Sequence, residues 1–320
     1  MARHLTVAER VRPAATRHLI HRPRSAVQAA PEYGVSREER FALAGDMPYD
    51  HPLFNDGLGH VHDVQLFVET VRQVGTFVGG RYFRVPLDRR CRFESVEFAL
   101  TTPAAWRVRE NPSHMAVDLH ASALSVTSGI PGGLRLRGTM EIDGTAGCTG
   151  HADLRFLAPS GPRRPAPTRW SSPTTGRHGP PPVDPHTVGR CDPRNVVVSA
   201  PARTDDTLRT ELLVDPGHPV FFAESGEFVP GTLLIEAIRQ TALLAATRIR
   251  GYDASRTHVV RASVRFPRDA ALGLPLTCAA RVDPGDDAPS TSIRSSVTQL
   301  GSVVAEAELT VAHSTSSGGS

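Results

Sequence analysis

The segment spanning residues 51–73 recurs without a gap at 218–240, a displacement of 167 positions. The identities are His51/His218, Pro52/Pro219, Phe54/Phe221, Gly59/Gly226, Leu66/Leu233, Glu69/Glu236, Arg72/Arg239 and Gln73/Gln240. Further along, Ser95-Val96-Glu97-Phe98 parallels Ser263-Val264-Arg265-Phe266, and upstream His18-Leu19-Ile20-His21 parallels Asn195-Val196-Val197-Val198. A period this long means a duplicated domain; solenoid units repeat every 20–50 residues or so. The 320 residues suit two domains of ordinary size.

Each copy reads as a short strand, a loop, one apolar helix and then several strands. In the second copy, Pro230 suits the first helical turn because its missing N–H would be unpaired there. Apolar residues continue through 232–249, and Gly251 is a stop signal. A helix apolar on nearly all sides belongs inside a core. Strand patterns follow at 258–266, 276–282, 292–299 and 303–312, with clear alternation in Val304-Ala305-Glu306-Ala307-Glu308-Leu309. The first copy matches them at 92–100, 116–126, 134–142 and 148–156. The fold class expected is therefore α+β, a tandem double hotdog: in each half an antiparallel sheet wraps one buried central helix. The expected domains are 1–158 and 191–313, which could pair as an intrachain pseudo-dimer. Between them, 159–190 is rich in Pro, Gly, Ser and Thr and reads as a linker; 314–320 reads as a disordered polar tail.

Composition removes several kinds of chemistry. All 36 basic residues are arginine. Without lysine there is no Schiff-base or pyridoxal-phosphate mechanism and no P-loop. The net charge of +3 is spread along the chain and gives no sign of nucleic-acid binding. Cys91, Cys148, Cys191 and Cys278 form no CxxC pair, so neither a disulfide framework nor a zinc site is expected. No apolar run approaches the roughly 20 residues that span a bilayer, and the first residues lack a secretory signal; a cytoplasmic protein is expected. Neither a Gly-x-Ser-x-Gly elbow nor a His-Glu-x-x-His pair occurs, and Gly57-Leu58-Gly59 lacks the third glycine of a dinucleotide fingerprint.

What remains is Glu-x-x-Arg-Gln, at Glu69, Arg72 and Gln73 and again at Glu236, Arg239 and Gln240. Offsets of three and four place the side chains on one helix face. A polar face on a buried helix must meet a partner, a cavity or both, because an unpaired buried charge is costly. The structural reading is a Glu–Arg pair that only anchors the helix; the functional reading is a site opening onto a pocket.

The stretch Val229-Pro230-Gly231-Thr232-Leu233-Leu234-Ile235-Glu236-Ala237-Ile238-Arg239-Gln240 resembles the Pro-Gly-x5-Glu-Ala-x-x-Gln motif of hotdog acyl-carrier-protein dehydratases, whose catalytic Glu corresponds to Glu236. The Arg before the Gln, the His-Pro-x-Phe lead-in, Asn195-Val196-Val197-Val198-Ser199 and the duplication itself more closely resemble the AfsA-like proteins of A-factor (gamma-butyrolactone) biosynthesis. That resemblance implies transfer of a β-ketoacyl group from acyl carrier protein to dihydroxyacetone phosphate or a similar C3 alcohol, on the way to a butyrolactone, butenolide or furan signal. It implies no metal and no redox cofactor. Catalytic roles would fall to Glu236, Arg239, Glu69 and Arg72, and substrate binding to Gly231, Thr232, Gln240 and Gln73. Glu236 would take the hydroxyl proton if burial raises its pKa, the N–H groups of Gly231 and Thr232 would face the oxyanion, and Arg239 would hold a phosphate or orient Glu236.

The chain departs from these patterns in places. The dehydratase His position holds Phe222, AfsA-like proteins often carry His where Phe228 stands, and the first copy has Asp63-Val64 in place of Pro-Gly. His51, His60, His62 and His218 are the nearby histidines, read as loop or capping residues before catalysts, and His60-Val61-His62-Asp63 as a loop before a metal site. Two alternatives stay open: a hotdog acyl-thioesterase, and a non-catalytic acyl-ligand-binding regulatory protein.

Overall fold

A computed structural model describes residues 18–22, 38–47, 51–58, 61–158, 180–204, 206–222, 227–284 and 289–314. The chain forms two units, one from residues up to 54 together with 62–159, the other from 55–61 together with the chain from 160 onward.

In the first unit, strands β1 (His18–Arg22), β2 (Glu38–Asp46), β3 (Arg90–Leu100), β4 (His114–Thr127), β5 (Ile130–Ile142) and β6 (Thr145–Leu157) surround helix α1 (Gln65–Tyr82). Antiparallel pairing runs β1-β2-β4-β5-β6-β3. In the second unit, β7 (Ala202–Thr204), β8 (Thr207–Glu211), β9 (Thr257–Arg265), β10 (Leu276–Val282), β11 (Ser290–Gln299) and β12 (Ser302–His313) accompany helix α2 (Gly231–Arg250). Their order, β7-β8-β10-β11-β12-β9, repeats the first unit strand for strand. Each unit is a hotdog, and the duplication read from 51–73 and 218–240 extends to topology.

Period-two alternation builds the inner face of each sheet. In β4, Met115, Val117, Leu119 and Ala121 are buried while Asp118 is exposed; in β11, Ile293 and Val297 are buried while Arg294 is exposed. Equivalent hairpin tips, Asp143-Gly144 and Leu300-Gly301, hold both residues at positive φ, the geometry of the tight turn that suits strand twist.

The helices lie on those faces through small residues. A Cβ on Gly75 would meet the side chains of Leu154 and Leu136, and one on Gly79 would come within 2.6 Å of the Phe156 ring. The equivalent positions in α2 are Ala242 and Ala246, both fully buried. Helix α2 starts after Pro230, which occupies the cap position in extended conformation, and ends at Gly251, whose φ of 69° closes it with an N–H bond to Thr247 O. The boundaries expected from sequence, 232–249 for this helix and 276–282 for β10, are met to within a residue.

Some expectations need revision. Residues 180–190, expected as the end of a linker, fold into the second unit: Pro185–Val188 is a 3-10 turn whose Val188 is buried, and Arg190 follows it into the core. Residues 159–179 of that linker and the tail from 315 lie outside the described residues. The parallel between 18–21 and 195–198 holds only in part. The first stretch pairs as β1, whereas Asn195 ends a 3-10 turn and Val198 makes one isolated bridge to Leu212. Among the described residues no helix is long and apolar enough to cross a membrane.

Candidate functional site

The second and third turns of α2 bring Glu236, Arg239 and Gln240 to the segment at 188–197. Glu236 is completely buried, and so is Gln240. Arg239 Nε donates to one carboxylate oxygen at 2.9 Å and its Nη2 to the other at 2.7 Å, while Gln240 Nε2 donates at 2.6 Å. A second guanidinium closes the other side: Arg190 Nε and Nη2 each lie 2.9 Å from a Glu236 oxygen, with 1% of the Arg190 side chain exposed. Arg239 Nη2 also donates to Val188 O at 3.1 Å. The carboxylate is thus held between two forked donors.

Burial by itself acts to raise the Glu236 pKa, but the charges of Arg190 and then Arg239 outweigh it and bring the value down to about 2. The expectation that burial would raise this pKa is therefore overturned. A carboxylate ionised so far below neutral pH is a weak proton acceptor.

The network continues outward from Gln240. Its Oε1 accepts from Val197 N at 3.0 Å and its Nε2 donates to Asn195 O at 2.7 Å. Asn195 Oδ1 faces His218 Nε2 at 3.1 Å, and Asn195 Nδ2 donates to Asp56 Oδ2 at 2.7 Å. The other oxygen of Asp56 accepts from the backbone N–H groups of Cys191 and Asp192. Asp56 belongs to the 55–61 segment, which comes from the first copy in sequence but folds with the second unit. His218 Nδ1 accepts from Val220 N and Phe221 N, which assigns the ring proton to Nε2; burial lowers its pKa, consistent with a neutral ring.

On α1 the same motif is less enclosed. Arg72 Nε and Nη2 donate to the Glu69 oxygens at 2.9 and 2.7 Å, and Gln73 Nε2 donates to Glu69 Oε1 at 2.7 Å. The side chains of Glu69 and Arg72 are 15% and 21% exposed. Gln73 Oε1 is buried with no hydrogen-bond partner.

The structure thus brings Glu69, Arg72 and Gln73 together, and separately Glu236, Arg239 and Gln240. Gly231 and Thr232 are half-buried in the first turn of α2. Five residues of helix separate Gly231 from Glu236, about 7.5 Å along the axis. Phe228 is 37% exposed in a bridge to Ala271, and Phe222 N donates to His218 O. His51 acts as a cap, its Nδ1 accepting from Leu53 N and Phe54 N with the ring stacked on Phe54; His218 packs on Phe221 in the same place with its ring tilted by 33°. His60 lies outside the described residues. His62, just before α1, is 6% exposed with Nδ1 unpartnered, and burial lowers its pKa.

Sequence reasoning missed Arg190, Asn195 and Asp56. Arg190 sits in a Pro-rich stretch whose composition suggests a linker. The available signal was the unpaired charge expected on a buried helix, which demands a partner from elsewhere.

Comparisons with known proteins identify the family. The family model described as the A-factor biosynthesis hotdog domain (AfsA) matches residues 6–158 and 172–314. A 2-oxo-3-(phosphooxy)propyl 3-oxoalkanoate synthase from Streptomyces griseus is 30% identical over 268 residues, 83% of this chain and 85% of its own length. A protein of the same name from Streptomyces coelicolor is 30% identical over 295 residues, 89% of this chain and 88% of its own. Among solved structures, an oleoyl thioesterase (putative) from Lactobacillus plantarum superposes with a TM-score of 0.53 at 10% identity, covering 85% of this chain and 95% of its own. A pyran synthase domain from the sorangicin pathway gives 0.51 at 12% identity, covering 90% of this chain and all of its own. These two likenesses concern the fold alone. Two matched segments and relatives that cover most of the chain give one conclusion: this chain belongs to the A-factor biosynthesis hotdog (AfsA) family and carries the family's domain twice.

Proposed function

We propose that this chain is an acyltransferase that joins a 3-oxoacyl group to the hydroxyl of dihydroxyacetone phosphate or a similar phosphorylated C3 alcohol, as a step toward a butyrolactone-class signalling molecule. The 3-oxoacyl group arrives as a thioester on acyl carrier protein. In the reaction the acceptor oxygen bonds to the thioester carbonyl carbon, the C–S bond breaks, and the hydroxyl proton ends on the departing thiol. The products are an ester and a free thiol.

The observation that carries this reading is the helix-borne Glu–Arg–Gln geometry, present in both units of a chain 30% identical to synthases of that ester class. The motif has the parts the reaction needs. On α1, where the motif is partly exposed, the carboxylate can hold a hydroxyl by its proton, and a guanidinium suits the forked geometry of a phosphate. Burial on the core helix keeps competing water scarce, which favours alcoholysis over hydrolysis.

The test is thiol release from a 3-oxoacyl thioester, followed with and without dihydroxyacetone phosphate. Release that depends on the acceptor supports the transferase. Equal release in both arms, with free 3-oxoacid accumulating, would replace it with a thioesterase.

A further inference from the structure

The two motif copies have diverged in how much of their hydrogen-bonding capacity is already spent. In the second unit it is used up. Glu236 accepts from Arg190, Arg239 and Gln240 and has no exposed surface, and Gln240 uses its Oε1 on Val197 N. In the first unit, Glu69 accepts only from Arg72 and Gln73 among the described residues, and 15% of its side chain is exposed. Gln73 Oε1, the equivalent of the saturated Gln240 atom, is buried without a partner. His62 adds a second unspent polar atom at the N-terminal end of α1: it is 6% exposed, its Nδ1 lacks a partner, and the equivalent position of the second copy holds Val229.

A buried polar atom without a partner is costly, on the order of 1–3 kcal/mol, and calls for an explanation such as a catalytic role or a bound water or ion. One such atom belongs to Gln73, which is bonded to a partly exposed carboxylate on α1, and the other lies at the start of that helix, whereas the equivalent carboxylate on α2 is sealed. From this asymmetry we infer that the α1 motif, with Glu69, Arg72 and Gln73 and with His62 at the helix start, is the acyl-transfer site, and that the α2 motif is a structural clasp fastening 188–197 onto its helix.

This assignment rests on the acyltransferase reading and says which copy performs it. Glu69 takes the acceptor's hydroxyl proton as the oxygen bonds to the thioester carbon, and returns it to the thiolate as the C–S bond breaks. Gln73 Oε1 accepts from a donor group of the bound substrate. The duplication has then split two duties that a single motif could not combine, since full pairing stabilises a buried carboxylate and also removes it from chemistry.

The test compares Glu69→Gln and Glu236→Gln in the full chain, with a 3-oxoacyl thioester and dihydroxyacetone phosphate as substrates. Glu69→Gln should lose ester formation by about 100-fold or more with its melting temperature unchanged, the range of a removed general base. Glu236→Gln should melt at lower temperature, while the molecules that remain folded turn over within about threefold of the parent rate, a difference of less than one tenfold step. A parent rate in Glu69→Gln would overturn the assignment, as would a normally stable but inactive Glu236→Gln. A second readout does not depend on turnover. In the unmodified chain, a water-soluble carbodiimide with an amine should label Glu69 and spare Glu236, and the thioester should protect Glu69. Labelling of Glu236 that the thioester blocks, with Glu69 untouched, would reverse the assignment. Protection of Glu69 in a chain that forms no ester would keep the site and defeat the acyltransferase reading.

Discussion

Arg190 and Glu236, 46 residues apart in sequence, meet as a fully buried forked ion pair with 2.9 Å contacts. The pair ties the turn after Val188 to the second turn of α2, and Arg239 closes it from the helix side. A carboxylate enclosed between two guanidiniums is a strong anchor and a poor base, which divides the roles of two motifs that share one ancestor.

Replacing Arg190 by Met removes one guanidinium and leaves Glu236 with Arg239. Breaking a buried pair by losing one partner typically costs about 3–5 kcal/mol. Chemical denaturation of Arg190→Met should show a loss of that order. A change below about 1 kcal/mol, the level of an exposed pair, would mean that the contact does not persist in solution.

Acid should unfold the second unit in a definite window. The Glu236 pKa is lowered from 4.5 to about 2, so its pairing contributes stability above about 4.5 that is lost as pH falls toward 2. That drop corresponds to about 3 kcal/mol. Buried His218 in this unit, and His62 in the first, both with lowered pKa, start the decline earlier, because the unfolded chain takes up their protons as pH falls through 6.5. Stability measured from pH 8 to 3 should fall in both windows, and Arg190→Met should flatten the lower one. An identical acid limb in parent and variant would contradict this.

Asp56 should matter to the second unit although it precedes α1 in sequence. It accepts from Cys191 N, Asp192 N and Asn195 Nδ2, and Asn195 in turn accepts from Gln240. Asp56→Ala leaves those donors to find other partners, at a cost of about 1–3 kcal/mol. Hydrogen exchange should quicken across 188–198 in the variant. Unchanged protection there would show that the segment is held by other contacts.

The glycines of α1 set how closely it approaches its sheet. A methyl group at Gly79 would come within 2.6 Å of the Phe156 ring, and one at Gly75 would run into Leu154. Gly75→Ala should therefore destabilise by about 1–3 kcal/mol through overpacking, despite the better helix propensity of alanine. A gain in melting temperature would contradict the packing of this helix.

Much of the fold was legible from sequence because both helices and the later strands of each copy carry strong periodic patterns. Helix 231–250 is apolar nearly all round, and β10 through β12 alternate with few breaks. Only one short strand was expected before each helix, and β2 and β8 went unread, the latter for a physical reason. In β8 only Leu208 is apolar, and its other inward residue, Thr210, is buried through a 2.8 Å hydrogen bond to Thr241 that composition does not reveal. The motif residues on α1 and α2 could be named from spacing alone, since offsets of three and four fix a helix face. Their unequal surroundings could not, because Arg190 and Asp56 reach the clasp through loops with no periodic signal.

The most direct measurement is mass spectrometry of the products formed from a carrier-bound 3-oxoacyl donor and dihydroxyacetone phosphate. A phosphorylated 3-oxoalkanoate ester should appear with the unaltered chain and be lost in Glu69→Gln. Finding only the free acid, whatever acceptor is supplied, would contradict the acyltransferase reading.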